Sequence, residues 1–317
     1  MRVLWLTVGD RQVASSRVRA YAPAEELTRQ GVQCAVVPIG ANLGRKLAGV
    51  AQLARHDVIV LQKLTPSRAA LRIVRRCAKT LVWDCDDAVH LGYPGETQDA
   101  AGRRGRAIAT LLDQVDVVTT TNGLLASELQ PASGRVLEFP GPAPAPRLGF
   151  AEPRDRVVIW LGSKSTTDNL RVLGAATQDL AAAGWRCVAV GAEPRAEALG
   201  WEVHAWSYAS ETAWLARAAV GVMPLARDPW SDRKAGYKTL EYLAAGVVPV
   251  ASDAPAAVTA LGTAESGILV QAGRTWLDAV EEAYLQRDLF IAAGLRRLEE
   301  LSVERFVRGW LDVIAEG

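Results

Sequence analysis

The sequence predicts an α/β protein built from two Rossmann-like, doubly wound domains. Short apolar runs alternate with amphipathic stretches, and the runs are continuous, as in strands covered on both faces. The alternation breaks once near mid-chain, at Phe139-Pro-Gly-Pro-Ala-Pro-Ala-Pro-Arg147, a stretch that suits neither a helix nor a central strand. It then restarts, and 317 residues fit two domains at roughly 150 residues each.

In the first half, strands are expected at Val3–Val8, Val32–Pro38, Val58–Leu61, Thr80–Trp83, Val115–Thr119 and Val136–Phe139. Helices are expected near Ser16–Gln30, Leu43–Arg55, Pro66–Ala78, Arg103–Asp113 and Gly123–Leu129. In the second half, strands are expected at Val157–Leu161, Arg186–Val190, Glu202–His204, Val220–Pro224, Val247–Val250 and Gly267–Val270. The matching helices lie near Thr167–Ala183, Glu211–Ala218, Ala235–Ala245 and Thr275–Gln286. Repeated β-α order gives a parallel sheet wound on both faces. The domains are therefore set at 1–145 and 156–300. Residues 301–317 hold a last helix, Ser302–Ala315, capped by Ser302 and expected to pack back on the first domain. The two domains are expected to face a cleft, with ligands beyond the carboxyl ends of the strands.

Composition narrows the function. Apolar residues make up 50% and charged residues 22%, which is ordinary for a globular chain. Formal net charge is +1, so charge alone makes no case for a nucleic-acid partner. The balance hides an asymmetry, because the first 155 residues carry a net +5 and the rest a net −4. Cys34, Cys77, Cys85 and Cys187 show no CxxC or zinc spacing and read as reduced thiols of a cytoplasmic protein. No apolar run is long enough to span a bilayer, and no secretion signal is evident at the start. Only six basic residues are lysines, Lys46, Lys63, Lys79, Lys164, Lys234 and Lys238, so each is worth inspecting.

The richest stretch runs from Met223 to Ser252. Lys234, Lys238 and Glu241 stand at i, i+4 and i+7, on one face of the expected helix. A lysine at a helix start suits a diphosphate, and a carboxylate further along suits a ribose diol. An exposed helix with ordinary Lys–Glu pairs is the plainer alternative. Glu241, Gly246, Pro249, Val250, Ser252 and Gly236 resemble the signature of GT-B glycosyltransferases, above all glycosyltransferase family 4 and related polysaccharide-synthesis enzymes. The first glutamate of that signature is Arg233 here, with Asp232 or Asp228 as its nearest carboxylate substitutes.

The resemblance implies a GT-B fold and transfer from a nucleotide diphosphate sugar, with the donor on the second domain. The nucleotide of the donor would be UDP or GDP. Gly162, Ser163, Lys164 and Thr166 form a strand–turn–helix start facing the donor diphosphate, although Ser and Thr also simply cap helices. Trp206 and Tyr208 fall where the family places the base, although ordinary packing also explains them. The donor set is thus Gly162, Ser163, Lys164, Thr166, Trp206, Tyr208, Lys234, Gly236, Lys238 and Glu241.

On the acceptor side, Ser16, Arg17 and Arg19 open the first helix, with Ser15 or Ser16 as its cap. Arginines at a helix N-terminus oppose the dipole and imply an anionic ligand or a neighbouring carboxylate. Asp84, Asp86 and Asp87 crowd together after the fourth strand, which raises at least one carboxyl pKa. Asp84-Cys85-Asp86 also spells the DxD of metal-dependent glycosyltransferases, but that motif belongs to a different fold, so no metal is expected. Asp87 and His90, with Asp232, are the catalytic candidates, and helix caps with a structural histidine are the alternative. Arg68, Arg72, Arg75, Arg76 and Lys79 form a basic stripe that suits anionic lipid at the inner membrane face or an anionic acceptor, or merely solvent.

The expectation is a cytoplasmic glycosyltransferase, retaining and metal-independent, with no cofactor beyond its nucleotide-sugar co-substrate. Its acceptor would be a saccharide, a lipid-linked saccharide or a small molecule. A nucleotide-sugar epimerase and a non-catalytic nucleotide-sugar-binding protein are the rivals. A nicotinamide oxidoreductase is disfavoured, because neither βα turn carries GxGxxG.

Overall fold

The computed structural model describes residues 1–39, 49–93, 95–147, 154–262 and 265–315. The expected helix Leu43–Arg55 therefore lies partly outside the described residues, as does Lys46, while 49–53 is helical. The chain divides into two compact units. The first holds Met1–Pro142, Arg233–Ala235 and Leu301–Gly317, and the second holds Ala143–Asp232 and Gly236–Glu300.

The first unit is a parallel sheet of β1 (Arg2–Thr7), β2 (Gln33–Pro38), β3 (Val58–Gln62), β4 (Thr80–Asp84), β5 (Val117–Thr120) and β6 (Arg135–Glu138), in the order β2-β1-β3-β4-β5-β6. β3 and β4 are wholly buried, which is why they read as unbroken apolar runs. Strand order reverses between β1 and β3, and ligand crevices of such sheets open at that switch point.

Register places Thr7, Gln62, Asp84 and Thr119 side by side across β1, β3, β4 and β5. All four are fully buried, so a polar row crosses the carboxyl edge of the sheet. A helical run covers it. That run starts at Ala14–Ser16, widens into a π segment at Arg17–Tyr21 and continues as α1 (Ala22–Arg29). Ser16 Oγ donates to Gln62 Oε1 at 3.1 Å, and Arg19 Nη2 donates to Asp84 Oδ1 at 2.5 Å. Thr119 Oγ1 also donates to Asp84 Oδ1, at 2.7 Å. Burial pushes the Asp84 carboxyl up, and the Arg19 charge opposes it.

Arg19 reaches further. Its Nη1 donates to Phe139 O at 2.6 Å and Gly141 O at 2.8 Å, where the chain leaves β6. Its guanidinium lies 5.0 Å from the Phe306 ring centre. Further helices of this unit are α2 (Arg68–Cys77), α3 (Gln98–Leu112), α4 (Gly123–Glu128) and the C-terminal helix Val303–Ala315. The C-terminal helix sends Phe306, Val307, Trp310 and Val313 into the core with Val3, Trp5, Ala24 and Leu27. Trp5 and Trp310 meet edge-on at 5.4 Å between ring centres. A Cβ at Gly309 would lie 2.6 Å from the Phe139 ring, so the close approach requires glycine.

The second unit has β7 (Asp155–Leu161), β8 (Arg186–Val190), β9 (Glu202–His204), β10 (Ala218–Met223), β11 (Val248–Ser252) and β12 (Ile268–Val270), in the order β12-β11-β10-β7-β8-β9. From β9 inward this is the 3-2-1-4-5-6 order of dinucleotide-binding folds, with its switch point between β7 and β10. Separate apolar clusters pack this sheet, one around Trp160 and Leu180 and another around Ile159 and Trp214. Tyr242 ties the site end of β7 in place, since its hydroxyl accepts from Leu161 N at 2.9 Å and donates to Val222 O at 3.1 Å.

Several expected helices differ in detail. Thr167–Ala183 is a 3-10 segment, Lys164–Leu173, and then α5 (Ala176–Ala182), broken at Gly174 with φ +55°. The helix after β9 is α6 (Tyr208–Arg217), and the one expected from Ala235 is α7 (Tyr237–Ala244). α8 (Pro255–Leu261), α9 (Trp276–Leu285) and α10 (Arg287–Glu300) complete the unit.

Replacing Arg19 by Met would leave a buried carboxyl without its cation. Urea unfolding of Arg19→Met should show a loss of about 3–5 kcal/mol, as for other broken buried pairs. Arg19→Met with Asp84→Leu should recover part of that loss, because the orphaned charge is gone.

Candidate functional site

In the first unit, Lys63 directly follows β3 and has φ +55°, a left-handed backbone that non-glycine residues seldom adopt. Its amide donates to Asp84 O at 2.8 Å, which fixes the turn. Its largely buried ammonium meets Asp86 Oδ1 at 3.1 Å and also bonds the Asp87 carboxylate. Burial opposes the Lys63 charge, but Asp86 and Asp87 outweigh it and raise the ammonium pKa, so Lys63 stays protonated. Burial likewise pushes the Asp87 carboxyl up, against the Lys63 charge and with the help of Asp86. Asp87 keeps an open edge, with 27% of its side chain exposed. Lys63 is a candidate residue of this site that pattern alone did not assign. The available signal was its rarity as a lysine and its place immediately after a strand.

His90 is held differently. Its Nε2 lies 3.0 Å from Glu128 Oε2, and Glu128 also accepts from Arg233 Nε at 2.6 Å. The Arg233 hydrogen bond holds the Glu128 carboxyl below its usual range, so it is an ionised acceptor. Burial lowers the His90 pKa despite Glu128. The neutral ring therefore carries its proton on Nε2, an assignment that follows from Glu128. Nδ1 is buried and unpartnered. Of the two acid/base candidates, Asp87 is thus the accessible one, and His90 is braced inside the unit.

The structure bears on three acceptor-side expectations. Ser16 does not cap its helix, since its hydroxyl lies within the helical run and serves Gln62 and the Gly9 amide. The counter-charge that Arg19 implies is the neighbouring carboxylate of Asp84, not a ligand. Asp84 in turn is sealed under Arg19, so neither residue is open to an acceptor. Arg17 donates to Arg11 O at 3.2 Å at the surface. Asp84 turns to Arg19 and Asp86 to Lys63, so the DxD pair does not offer two free carboxylates to one cation.

In the second unit, the loops after β7, β8 and β9 converge. A Cβ on Gly191, whose φ is +87°, would lie 2.4 Å from Gly162 O and 3.3 Å from Trp206 Cβ. Only glycine allows that approach. Thr166 Oγ1 accepts from Ser163 N at 3.1 Å, and Ser163 Oγ lies 2.9 Å from Ser165 Oγ. Those hydroxyls thus close the helix start themselves. Lys164 is exposed and makes no ion pair among the described residues.

The expected face Lys234, Lys238, Glu241 is also corrected. Lys234 precedes α7 and belongs to the first unit, because Gly236 is the N-cap, with φ +64°. A Cβ at Gly236 would lie 2.3 Å from Ala256 O, which forbids any other residue there. Lys238 and Glu241 remain, and Lys238 Nζ donates to the buried Glu241 Oε2 at 2.6 Å. Asp228 is spent on closing its own turn, accepting from Trp230 N and Ser231 N at 2.9 Å each. Asp232 is partly buried, 3.4 Å from Arg227. Arg233, at the place of the first signature glutamate, is clamped by Glu128.

Trp206 and Tyr208 are 38% and 54% exposed, enough to form a ledge after β9. The buried Glu211 accepts from Trp206 Nε1 at 2.8 Å and lies 3.4 Å from Arg147 Nη1. Elsewhere, Arg75 pairs with Asp116 and Lys79 with Asp57, whereas Arg68, Arg72 and Arg76 stand exposed around Ile73, without an ion pair among the described residues.

Residues 155–286 match the family model for glycosyl transferases group 1. No curated protein matches the chain in sequence. Among solved structures, Anabaena Alr3699/HepE with UDP and glucose is 15% identical, with a TM-score of 0.68 over 100% of both chains. The same protein with UDP-glucose is 14% identical at a TM-score of 0.67, again over 100% of both. Sucrose-phosphate synthase from Thermosynechococcus elongatus is 12% identical at 0.66, over 100% of this chain and 99% of that one. The family-model match thus falls almost wholly within the second unit, and the chain has the GT-B fold of these structures.

His90 titrates lower when folded than unfolded, so the unfolded chain gains the proton first as pH falls. Stability should therefore drop as pH falls below about 6.5, the ordinary imidazole value. Glu128, with its depressed carboxyl, adds a further loss at lower pH. In His90→Gln, urea unfolding across pH should lose the first drop and keep the second.

Proposed function

We propose that the protein is a glycosyltransferase. It takes a uridine diphosphate sugar on its second unit and a saccharide or lipid-linked acceptor on its first. The match of residues 155–286 to group 1 glycosyl transferases carries this reading, because that span contains the convergent loops of Gly162, Gly191 and Trp206 with Lys164, Lys238 and Glu241. Related structures of the same fold hold UDP and UDP-glucose.

In the reaction, an acceptor hydroxyl oxygen bonds to the anomeric carbon of the donor sugar, the bond from that carbon to the diphosphate oxygen breaks, and the hydroxyl proton passes to Asp87. Charge develops on the leaving diphosphate. Lys164 and Lys238, each in the first turn of a helix, place ammonium and backbone N–H groups where that charge appears. These cations do the work that a divalent metal does in other transferases, and the reading is metal-independent. Glu241, buried and bonded to Lys238, is the carboxylate for the ribose diol. Asp87, with its open edge beside Lys63, accepts a hydrogen bond from the acceptor hydroxyl. The resemblance to family 4 favours retention of configuration. The contact that its first glutamate makes with the donor sugar is not available from Arg233, which Glu128 holds.

The exposed Arg68, Arg72 and Arg76, with half-exposed Ile73 among them, suit the anionic surface of a membrane. Such contact fits a lipid-linked acceptor at the cytoplasmic face of the inner membrane. No helix among the described residues is long and apolar enough to cross a bilayer.

Thermal denaturation against a panel of nucleotide diphosphates and their sugars tests the reading. UDP and UDP-sugars should raise Tm, and Lys238→Ala should weaken UDP binding about tenfold, the scale of one charge-assisted contact. No shift with any nucleotide would overturn it. NMR of the product anomer then checks retention, and an inverted product would refute that part.

A further inference from the structure

The ledge after β9 rests on a carboxylate that the proposed reaction does not use. Glu211 is only 2% exposed, and a buried charge persists when it is partnered. Its partners are the Trp206 indole N–H at 2.8 Å and the Arg147 guanidinium at 3.4 Å. It also sits in the first turn of α6, where the helix amides favour negative charge. Arg147 is anchored independently, its amide donating to Ala244 O at 2.8 Å, and its guanidinium lies 5.7 Å from the Tyr208 ring centre. One buried carboxylate therefore fixes an exposed indole directly and ties the arginine that overlies the exposed phenol. Exposed aromatic side chains otherwise exchange rotamers freely.

We infer that Glu211 is the positioning residue of a stacking surface for the base of the nucleotide donor, with Arg147 as its second arm. The inference rests on the donor reading above and deepens it. Trp206 offers its face to a planar ring, and Glu211 holds that face in place before the ligand arrives. Ordering cost is then met in folding instead of binding. A ligand with a base benefits, whereas one made only of phosphate does not.

Calorimetry with UDP and with inorganic pyrophosphate separates the two. Glu211→Ala should weaken UDP about tenfold, within the range for one base stacked on an aromatic ring, and leave pyrophosphate unchanged. Glu211→Gln keeps an acceptor for the indole N–H and should restore most of the UDP affinity. Trp206→Phe, at an exposed position that tolerates substitution, keeps a ring but loses the bond to Glu211. It should also weaken UDP alone, so the test survives if Glu211→Ala fails to fold. Tryptophan emission adds a signature, since quenching by UDP should vanish in Trp206→Phe and shrink in Glu211→Ala. Equal weakening of UDP and pyrophosphate, or unchanged UDP affinity in both variants, would overturn the inference alone. A wild-type protein that binds neither UDP nor pyrophosphate would overturn the donor reading on which it rests.

Discussion

The buried pair of Arg19 and Asp84 is the contact on which the first unit turns. One guanidinium joins four parts of the chain that are far apart in sequence: the π segment, the end of β4, the chain leaving β6 and the C-terminal helix. A buried ion pair adds little net stability over an apolar pair, but it tolerates no loose geometry. Here it sets where β4 ends, and hence where Asp86 and Asp87 emerge. Lys63 then meets both carboxylates from the neighbouring β3, through a backbone conformation that costs energy and persists because its surroundings fix it. The polar row of Thr7, Gln62, Asp84 and Thr119 is the floor on which that cluster stands.

The second unit solves a different problem with different means. It packs backbone segments closely, and it does so with glycines. Gly162, Gly191 and Gly236 each sit where a Cβ would collide with backbone or with an indole ring. Tyr242 fixes the end of β7 from below through two hydrogen bonds. The first unit thus positions charge by pairing, and the second positions backbone by removing side chains.

Much of this was legible in the sequence. Continuous apolar runs marked the twelve strands of the described residues to within two or three residues, because a sheet covered on both faces leaves no room for alternation. The proline-rich break fell where β6 ends. Side-chain partnerships across the sheet were not legible. Arg19 and Asp84 read as separate acceptor-side residues, since nothing local reveals that residues 65 apart meet in the core. Lys234 read as helical because spacing alone places it on the face of Lys238. The left-handed backbone at Gly236, demanded by the Ala256 carbonyl, starts the helix after it. Glu211 read as an ordinary helix residue, and only burial exposes its role.

Hydrogen exchange with and without UDP locates the donor site most directly. Bound UDP should slow exchange of the amides from Gly162 to Thr166, at Gly191, and from Trp206 to Ser210, and should leave the Arg19–Asp84 scaffold unchanged. Protection confined to the first unit, or none at all with UDP at saturating concentration, would contradict the account.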